Sequence, residues 1–427
     1  EIHERLVGSE MCIRDSPYCG FTAPKIKEYV TKEITHSALT TQKCIIKYRA
    51  RRYKCPCCGK TYYEFNPFVF KSQKISILTV HNILKDLKDF NETFTSVARR
   101  YHVSPTSVST IFDNHVDIGR NPLPEIINFD EVYAFKSEKS KYVCVLLDFK
   151  KQIPVDVLPN RKKEYLLNYF QKIPLEERKK VKYACSDMYE VYRDVVHKVF
   201  PEAKHLLDYF HLSQDFHKKM NEVRIKVMKG YKDNKASDEY YLLKKFNWLL
   251  FKNPEDEDKH GRLFDVERER KYNSHFKSYM NYYDLRKKLL EINNDLTICY
   301  SLKLELVDFY SKSTIDNAKV NLENLIRSCI DTNIDEMIAF SNNLINWKQE
   351  IINSFTIVGT EYKVEADKGQ VVVCNKKVNN AIIENRNKII KCIKNNANGY
   401  TNWSRFRNRV MYVLDPNATF SLEPREK

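Results

Sequence analysis

The segment that decides the fold is Glu125–Lys150, EIINFDEVYAFKSEKSKYVCVLLDFK. It predicts two strands, Ile126–Phe135 and Tyr142–Phe149, joined by a polar, lysine-rich turn. Nearly continuous apolar runs rich in Val, Ile, Tyr and Phe are typical of strands that are buried on both faces. A carboxylate inside such a strand is costly to bury unless a cation compensates it. Asp130 is therefore either a metal ligand or a strand-end residue that faces water.

Three more strands and two helices are predicted after this pair. The strands are Ile153–Leu158, Val181–Ser186 and Ala203–Asp208, and the helices are Lys162–Gln171 and Tyr189–Val199. Three strands followed by helix, strand, helix and strand is the order of an RNase H-like α/β domain. The first and fourth strands of that domain are neighbours, so Asp130 and Asp187 are expected to face each other across one ladder spacing. Such a pair of carboxylates suits two divalent cations.

The composition indicates a large, basic chain. Its 427 residues suffice for roughly two to four domains, and 72 Lys and Arg against 56 Asp and Glu give a formal charge of +16. This charge favours a polyanionic partner, most often nucleic acid, over the alternative of a lysine-rich solvated surface. No apolar run reaches the roughly 18–20 residues of a membrane span, and no signal peptide is recognisable. The cysteine spacing predicts a reducing, cytoplasmic location, and the scarcity of glycine disfavours nucleotide-binding loops.

The first 66 residues are interpreted as a tail followed by a zinc ribbon. Residues 1–16 show no clear period and are expected to be a non-native or disordered tail, so the ribbon covers residues 17–66. Cys19, Cys55 and Cys58 are the predicted Zn²⁺ ligands, because a C-x-x-C pair closed by a Gly turn places two thiolates on one side of the ion. Ser16 stands where the first knuckle should begin with Cys, so the site is expected to be incomplete, its fourth ligand lost with the natural N-terminus. A reduced structural cysteine cluster is the alternative.

Two stretches near the N-terminus are candidates for DNA binding. The basic strand Cys44–Lys54 could lie along phosphates through Arg51 and Arg52. Within residues 67–120, the segment Thr93–Asn114 predicts a helix-turn-helix, with Ser104 as the N-cap of its second helix. Its predicted core consists of Val97, Ala98, Val103, Val108 and Ile111. The residues expected to face outward, toward base edges or phosphates, are Thr106, Ser107, Ser109 and Thr110.

The RNase H-like core is predicted to occupy residues 121–211 and 376–427, interrupted by a mostly helical insertion over residues 212–375. After the insertion, Val378–Lys394 reads as a basic amphipathic helix that packs Ile382 and Ile389 inward and lays Glu384 against the sheet edge. Basic and aromatic residues are interleaved in the tail, as in helices that contact phosphates. The candidate DNA contacts of this region are Lys388, Lys391, Arg405 and Arg409.

With these segments in place, the chain resembles the DDE transposases of bacterial insertion sequences, specifically the ISL-three family, from Pro17 to about Leu414. Five motifs carry the resemblance: FDE at Phe129–Glu131, LPNR at Leu158–Arg161, SDMYEVY at Ser186–Tyr192, LLDYFHL at Leu206–Leu212 and NNAIIENRNKIIK at Asn379–Lys391. In the last motif, Ala381 and Asn385 replace two glycines of the family pattern.

The resemblance implies a cut-and-paste DNA transposase. Asp130, Asp187 and Glu384 would hold two Mg²⁺ (or Mn²⁺) ions for strand cleavage and strand transfer, with Asp208 and His211 in a supporting shell. Asp148 and Glu131 are weaker candidates, since Glu131 alternates to the opposite face from Asp130. The ribbon and the helix-turn-helix would bind the terminal inverted repeats, Arg161 would contribute to DNA binding, and pairing two ends requires at least a homodimer.

Two other functions remain compatible with the residues. One is a DNA-binding regulator or remnant of a transposase that no longer cuts DNA. The other is a structure-specific nuclease that cleaves without strand transfer.

Overall fold

The computed structural model of the chain describes residues 15–22, 24–37, 42–70, 73–135, 140–364 and 371–425. Most of the predicted tail, residues 1–14, lies outside these residues. None of the helices in the described part combines the length and apolar character that crossing a bilayer requires.

Three antiparallel strands form a small N-terminal sheet: β1 (Lys25–His36), β2 (Cys44–Lys54) and β3 (Thr61–Tyr63), with β2 in the middle. The cysteine turn lies between β2 and β3 and ends at Gly59, whose φ of 67° is the left-handed conformation that favours glycine. The buried apolar cluster of this unit is small and consists of Tyr53, Cys55 and Tyr62. Small units with so little apolar core commonly depend on a metal or a cross-link for their stability.

Three helices follow the sheet: α1 (Ile77–Asp86), α2 (Phe94–Arg100) and α3 (Pro105–His115). Each begins after a capping residue whose side-chain oxygen accepts a hydrogen bond from a backbone N–H three residues further on. These caps are Ser76, Thr93 and Ser104. The apolar residues predicted for the helix pair pack together in one buried cluster, with Val103 partly buried beside it.

The expectation that Ser109 faces outward is wrong. Ser109 is 8% exposed, and its hydroxyl donates a hydrogen bond to the carbonyl of Thr106. It follows Val108 on the buried side of α3, whereas Thr106 and Thr110 are exposed and Ser107 is partly exposed. A helical step of about 100° leaves residue 109 within the apolar stripe rather than opposite it.

A five-stranded sheet forms the centre of the chain. Its strands are β4 (Ile126–Val132), β5 (Val143–Asp148), β6 (Pro154–Leu158), β7 (Tyr183–Ser186) and β8 (Lys204–Leu207). The order across the sheet is β6-β5-β4-β7-β8; the first three strands are antiparallel, and β7 and β8 run parallel to β4. The expected neighbourhood of the first and fourth strands is therefore confirmed.

Helices cover both faces of this sheet. On one face, Ile127 and Phe129 pack against α4 (Lys163–Gln171) and α6 (Glu190–Val199), with the short α5 (Leu175–Arg178) between them in the chain. On the other face, Val132 and Val145 pack against α14 (Ala381–Asn396) and α15 (Trp403–Leu414). Because side chains alternate along a strand, Asp130 shares the second face with Val132, and Glu131 shares the first.

The insertion is mostly helical, as expected, and has its own apolar core. Its helices are α7 (Tyr209–Lys229), α8 (Asp238–Lys245), α9 (Tyr282–Glu291), α10 (Asn294–Lys312), α11 (Ala318–Asp331), α12 (Asp335–Asn346) and α13 (Lys348–Asn353), with a 3₁₀ helix at Asn247–Phe251. Two small hairpins pair β9 (Glu257–Asp258) with β10 (Gly261–Arg262) and β11 (Lys271–Asn273) with β12 (Ser278–Met280).

A longer hairpin, β13 (Ile357–Val364) and β14 (Val371–Lys377), returns the chain from the insertion to the central sheet. The sequence patterns do not predict this hairpin. The predicted border at residues 375 and 376 falls inside β14, so this hairpin and not a helix forms the connection.

Candidate active site

Three aspartates lie at matching positions of three neighbouring strands. Asn128 of β4 is paired with Cys185 of β7, and Ser186 is paired with Leu207 of β8. Continuing this register brings Asp130 level with Asp187, and Asp187 level with Asp208. Parallel strands end at the same edge of a sheet, and the strand period of two places all three carboxylates on the face that α14 covers.

Helix α14 fixes this edge through residues spaced like one face of a helix. The Asn387 side chain donates a hydrogen bond to Oδ2 of Asp130 at 2.7 Å, and the backbone N–H of Asn380 donates to Oδ1 of Asp208 at 3.4 Å. Asn380 is fully buried and accepts a 2.7 Å hydrogen bond from Asn128 of β4. Glu384 stands between Asn380 and Asn387 on this face, so the helix presents it to the aspartates.

Within the described part of the chain, Glu384 forms a group with Asp208 and His211 in which the candidate ligand atoms all lie within 4.8 Å of one another. Nε2 of His211, in the first turn of α7, is 3.9 Å from Oδ2 of Asp208. The sequence reading gave Asp208 and His211 only a supporting role. Their distances to Glu384 make Asp208 a candidate ligand beside the predicted triad of Asp130, Asp187 and Glu384.

Burial and crowding of like charges shape the electrostatics of the site. Burial raises the pKa of Asp130 to about 7, and the charges of Asp187 and Glu384 contribute to the rise. Burial also raises the pKa of Asp187 to about 7, helped by the charges of Glu131 and Asp208. The pKa of Asp208 is raised as well, first by burial. These carboxylates repel one another unless protons or cations lie between them.

The unsatisfied polar atoms fit a divalent cation. Oδ1 of Asp187, Oδ2 of Asp208 and Nε2 of His211 are buried and have no hydrogen-bond partner among the described residues. Buried polar atoms are normally paired, so a group of orphaned acceptors calls for an additional positive partner. Carboxylate oxygens are the ligands that Mg²⁺ and Mn²⁺ prefer. The donor set therefore fits the predicted cofactor.

Arg161 lies at the margin of this site. Its guanidinium pairs with Glu131 and lies over the rings of Tyr142 and Tyr189, at 4.6 and 4.8 Å from their centroids. It also lowers the pKa of Asp187 through its charge, against the larger effect of burial. Arg161 is thus held in place by aromatic and acidic partners beside the aspartates.

A cleft of about 520 Å³ opens next to the aspartates, between the central sheet and the insertion. Asp187 and His211 line its inner end, and Lys218 of α7 and Trp347 line its sides. The insertion therefore contributes a wall to the site.

The residues predicted to contact DNA differ in how exposed they are and in whether they already form ion pairs. Lys388 and Lys391 are exposed on α14. Arg405 forms an ion pair of 2.6 Å with Asp113, which joins α15 to α3, while Arg51 and Arg52 pair with Glu64 at 3.2 Å and Glu28 at 2.8 Å. These paired arginines keep roughly a third of their side-chain surface exposed, at 28–32%.

The assignment of Arg409 to DNA binding does not fit the structure. Arg409 is 1% exposed, and its guanidinium donates hydrogen bonds of 2.8 Å to the carbonyls of Asp89 and Glu92. These carbonyls belong to the loop between α1 and α2. Arg409 therefore ties α15 to the N-terminal helices and is not accessible to phosphates.

The three predicted zinc ligands are brought together. The thiol atoms of Cys19, Cys55 and Cys58 lie within 4.8 Å of one another, with 3.5 Å between the Cys19 and Cys55 sulfurs. Oγ of Ser16 is 3.8 Å from Sγ of Cys58, so the serine occupies the side of the cluster where a fourth ligand would stand. The pKa of Cys19 is lowered to about 6, first by its hydrogen bond with Ser16, which favours the thiolate that metals bind.

Comparison with known proteins shows the family to which the chain is related. Residues 127–366, more than half of the chain, match the model of a family described as transposase, the ISL-three type of DDE transposases. The chain belongs to this transposase family. The matched range contains Asp130, Asp187 and Asp208 and ends before Glu384. The transposase for insertion sequence element IS1001 from Bordetella parapertussis is 19% identical over 402 residues, which cover 94% of this chain and 88% of that protein.

Asp130, Asp187 and Glu384 are predicted site residues, whereas no role is predicted for the asparagines that contact them. Asn128, Asn380 and Asn387 are 0%, 0% and 5% exposed and link β4 to α14. The signal for two of them was present in the spacing N-x-x-x-E-x-x-N, which puts all three side chains on one helix face.

Proposed function

We propose that this transposase binds the terminal inverted repeats of an insertion sequence and catalyses metal-dependent DNA cleavage followed by strand transfer into target DNA. The observation that carries the proposal is the level arrangement of Asp130, Asp187 and Asp208 beneath Glu384. Four acidic side chains gathered at one sheet edge, with orphaned oxygen atoms, suit phosphodiester chemistry better than any other reaction that this composition allows.

Asp130, Asp187 and Glu384 would hold two Mg²⁺ or Mn²⁺ ions, and Asp208 lies near enough to Glu384 to share in binding them. When bound, such ions supply a water-derived nucleophile and stabilise the leaving 3′ oxygen. The raised pKa values of Asp130 and Asp187 mean that both carboxylates take up protons near pH 7 in the absence of cations. Proton release therefore accompanies metal binding at neutral pH.

The protein's own residues orient this site. Both oxygens of Asp130 accept hydrogen bonds, Oδ2 from Asn387 and Oδ1 from the backbone N–H of Glu131, and Oδ1 of Asp208 accepts one from the backbone of Asn380. These bonds fix the orientation of the two carboxylates beside Glu384. His211 stands beside Asp208 at the inner end of the cleft, where it can donate a hydrogen bond to a scissile phosphate. Lys218 adds a positive charge to the same cleft.

DNA recognition is assigned to the N-terminal units. The cysteine cluster on the β1-β2-β3 sheet acts as a zinc ribbon with an incomplete ligand set, and α2 and α3 act as a helix-turn-helix whose exposed Thr106, Ser107 and Thr110 read the repeat. Lys388 and Lys391 supply phosphate contacts near the active site. Synapsis of two ends requires a homodimer or a larger assembly, which acts in the cytoplasm where the DNA lies.

A catalytically inactive DNA-binding remnant is the alternative, and Ser16 in place of a fourth cysteine is the observation that favours it. A joining assay separates the functions. Protein is incubated with Mg²⁺, a labelled duplex that ends in the terminal repeat found beside the gene, and a supercoiled plasmid. A transposase joins the duplex to the plasmid, a nuclease only cleaves, and a remnant only binds; absence of both cleavage and joining overturns the proposal.

A further inference from the structure

A second group of candidate metal ligands lies behind the active site. His197 of α6, His205 of β8 and Glu350 of α13 bring their ligand atoms within 4.8 Å of one another. His205 and Glu350 are 1% and 5% exposed, whereas His197 is exposed. His205 alternates with Leu206 along β8, so it lies on the opposite face of the sheet from the aspartates.

The hydrogen bonds around Ser186 fix the tautomer of His205. The Ser186 hydroxyl donates its single proton to the carbonyl of Asp187 at 2.9 Å. With that proton directed to the carbonyl, the Ser186 oxygen, which lies 2.9 Å from Nε2 of His205, accepts a hydrogen bond from that nitrogen. A neutral imidazole that carries its proton on Nε2 has a lone pair on Nδ1.

This lone pair faces a carboxylate. Nδ1 of His205 lies 3.9 Å from Oε1 of Glu350 and has no hydrogen-bond partner among the described residues. A distance of 3.9 Å is too long for a hydrogen bond, so a shared proton does not explain the pair. Two buried acceptors that face each other repel unless a cation lies between them.

We propose that His197, His205 and Glu350 bind a transition-metal ion of the zinc class, separate from the catalytic cations and from the cysteine cluster. Two imidazoles and a carboxylate are a known zinc ligand set, with water in the fourth position. A Zn²⁺ ion lies about 2.0–2.2 Å from each of its ligand atoms. It therefore fits between Nδ1 of His205 and Oε1 of Glu350, which are 3.9 Å apart. The Nε2–H of His205 bonded to Ser186 is the outer hydrogen bond that metal-binding histidines usually make.

Arg193 is the nearby cation that would oppose metal binding. Its guanidinium is turned toward Trp347, 4.4 Å from the ring centroid, and donates a 2.9 Å hydrogen bond to the carbonyl of Asn346. These contacts hold the Arg193 guanidinium at the end of α12.

The site joins the insertion to the catalytic sheet. Glu350 belongs to the last helix of the insertion, and Asn353 of the same helix donates a 2.9 Å hydrogen bond to the carbonyl of His205. His205 is three residues before Asp208 and contacts Ser186, the neighbour of Asp187. A bound ion would therefore fix α13, and the wall of the cleft that it supports, relative to Asp187 and Asp208.

The test measures metal content in the full-length chain. Protein is stripped with a chelator, reloaded with Zn²⁺ or Co²⁺ and dialysed; the wild type is compared with His197→Gln and Glu350→Gln, and with His260→Gln, an exposed histidine of the insertion, as the control. We expect both cluster variants to hold one ion fewer than the wild type and the control, because the cysteine cluster is intact in all four proteins. We also expect Co²⁺ to quench Trp347, whose ring lies 6.2 Å from that of His205, in the wild type and not in His197→Gln.

His197 is exposed, so its replacement leaves folding intact and a loss of metal cannot be attributed to unfolding. Equal metal content in the wild type, His197→Gln and Glu350→Gln overturns the proposal. This readout requires no DNA and is independent of whether the chain joins DNA strands.

Discussion

Asn387 donates a 2.7 Å hydrogen bond to Oδ2 of Asp130, although the whole insertion separates the two residues in the chain. This bond joins the C-terminal helix α14 to the central strand β4. It sets the rotation of the helix, and with it the direction of Glu384, which lies less than one turn before Asn387. The insertion can therefore be large without displacing Glu384 from the aspartates, because the buried asparagine contacts re-establish the site where the chain returns.

The first prediction concerns the pH dependence of stability without divalent cations. The pKa values of Asp130 and Asp187 are raised from the ordinary value of 3.8 to about 7, so the folded state binds more protons than the unfolded state between about pH 4 and 7. The contribution of these two aspartates to stability is then highest at the acid end of this window and falls as pH rises through it, by up to about 1.4 kcal/mol per pH unit for each aspartate. Thermal unfolding in the presence of a chelator measures the fall.

Two substitutions test whether Asp130 and Asp187 cause this pH dependence of stability. Asp130→Asn and Asp187→Asn remove one ionising group each, so each variant should lose part of the pH dependence and unfold at a higher temperature than the wild type at pH 7 without metal. Mg²⁺ should raise the unfolding temperature of the wild type more than that of either variant, because the ion binds only to the complete site. A wild-type stability that does not fall relative to the stability of both variants as pH rises from 4 to 7 would contradict this account of the site.

Much of this arrangement follows from sequence patterns, and the part that does not depends on tertiary contacts. The apolar runs around Asp130 and before Asp187 identify buried strands, and strand order then predicts that these aspartates are neighbours. The sequence predicts only a supporting role for Asp208, because its position relative to Asp187 depends on the register of β7 with β8. Register is set by packing and pairing across the sheet, which no local pattern displays.

Arg409 shows a second limit. A sequence in which basic and aromatic residues alternate has the same pattern whether its basic residues contact phosphates or backbone carbonyls. The distinction here comes from the loop carbonyls of Asp89 and Glu92, which need donors, and they lie far away in the sequence. The β13–β14 hairpin escaped notice for a related reason, since its apolar run is short and follows a long helical region.

The cysteine cluster gives the second prediction. Ser16→Cys places a thiolate on the side of Cys58 that the serine hydroxyl now occupies, 3.8 Å from its sulfur. Zinc affinity should increase by at least the roughly 10- to 100-fold that even an outer-shell partner contributes to a metal site. Competition with a chromophoric chelator measures it. Cys392→Ser, at an exposed cysteine of α14 outside the cluster, should leave zinc affinity unchanged. Equal zinc affinity of Ser16→Cys and the wild type would contradict a missing fourth ligand.

The third prediction concerns sequence reading by α3. Alanine at Thr106, Ser107 or Thr110 should reduce the preference for the terminal repeat over random DNA by about 1–3 kcal/mol per lost base contact, with little change in binding to random DNA. Ser109→Ala serves as the control, because this serine is buried and bonded to the Thr106 carbonyl. Titrations of the protein with both DNAs at one salt concentration measure the ratio of the two affinities. An equal loss on both DNAs would show that α3 does not read the repeat.

The fourth prediction separates phosphate contacts from structural arginine. Lys388→Ala and Lys391→Ala should weaken binding to all DNA sequences and reduce the salt dependence by about one counterion for each lost contact. Arg409→Ala should instead lower the free energy of unfolding by roughly 2 kcal/mol or more, because two loop carbonyls lose their donor and a fully buried side chain is removed. Salt titrations and thermal unfolding of the three variants distinguish the roles. A stable Arg409→Ala protein with impaired DNA binding would restore Arg409 as a DNA contact.

The fifth prediction concerns Glu384 and the carboxylates that share its site. Glu384→Gln keeps the shape of the side chain and removes the charge, so it should fold and bind repeat DNA normally while losing Mg²⁺-dependent cleavage and joining. Asp130→Asn and Asp187→Asn should behave in the same way. Asp148→Asn is the matched control: Asp148 lies at the end of β5 away from the site, where its carboxylate accepts hydrogen bonds from the backbone of Lys150 and Lys151.

The most direct measurement is the rate of Mg²⁺-dependent strand joining by Glu384→Gln, with Asp208→Asn and Asp148→Asn assayed beside it on the same repeat duplex and plasmid. We expect Glu384→Gln to lose several kcal/mol of transition-state stabilisation, at least about 10³-fold in rate, while Asp208→Asn retains partial activity and Asp148→Asn retains full activity. Near-normal joining by Glu384→Gln together with complete loss in Asp208→Asn would contradict the account and make Asp208 the third metal ligand.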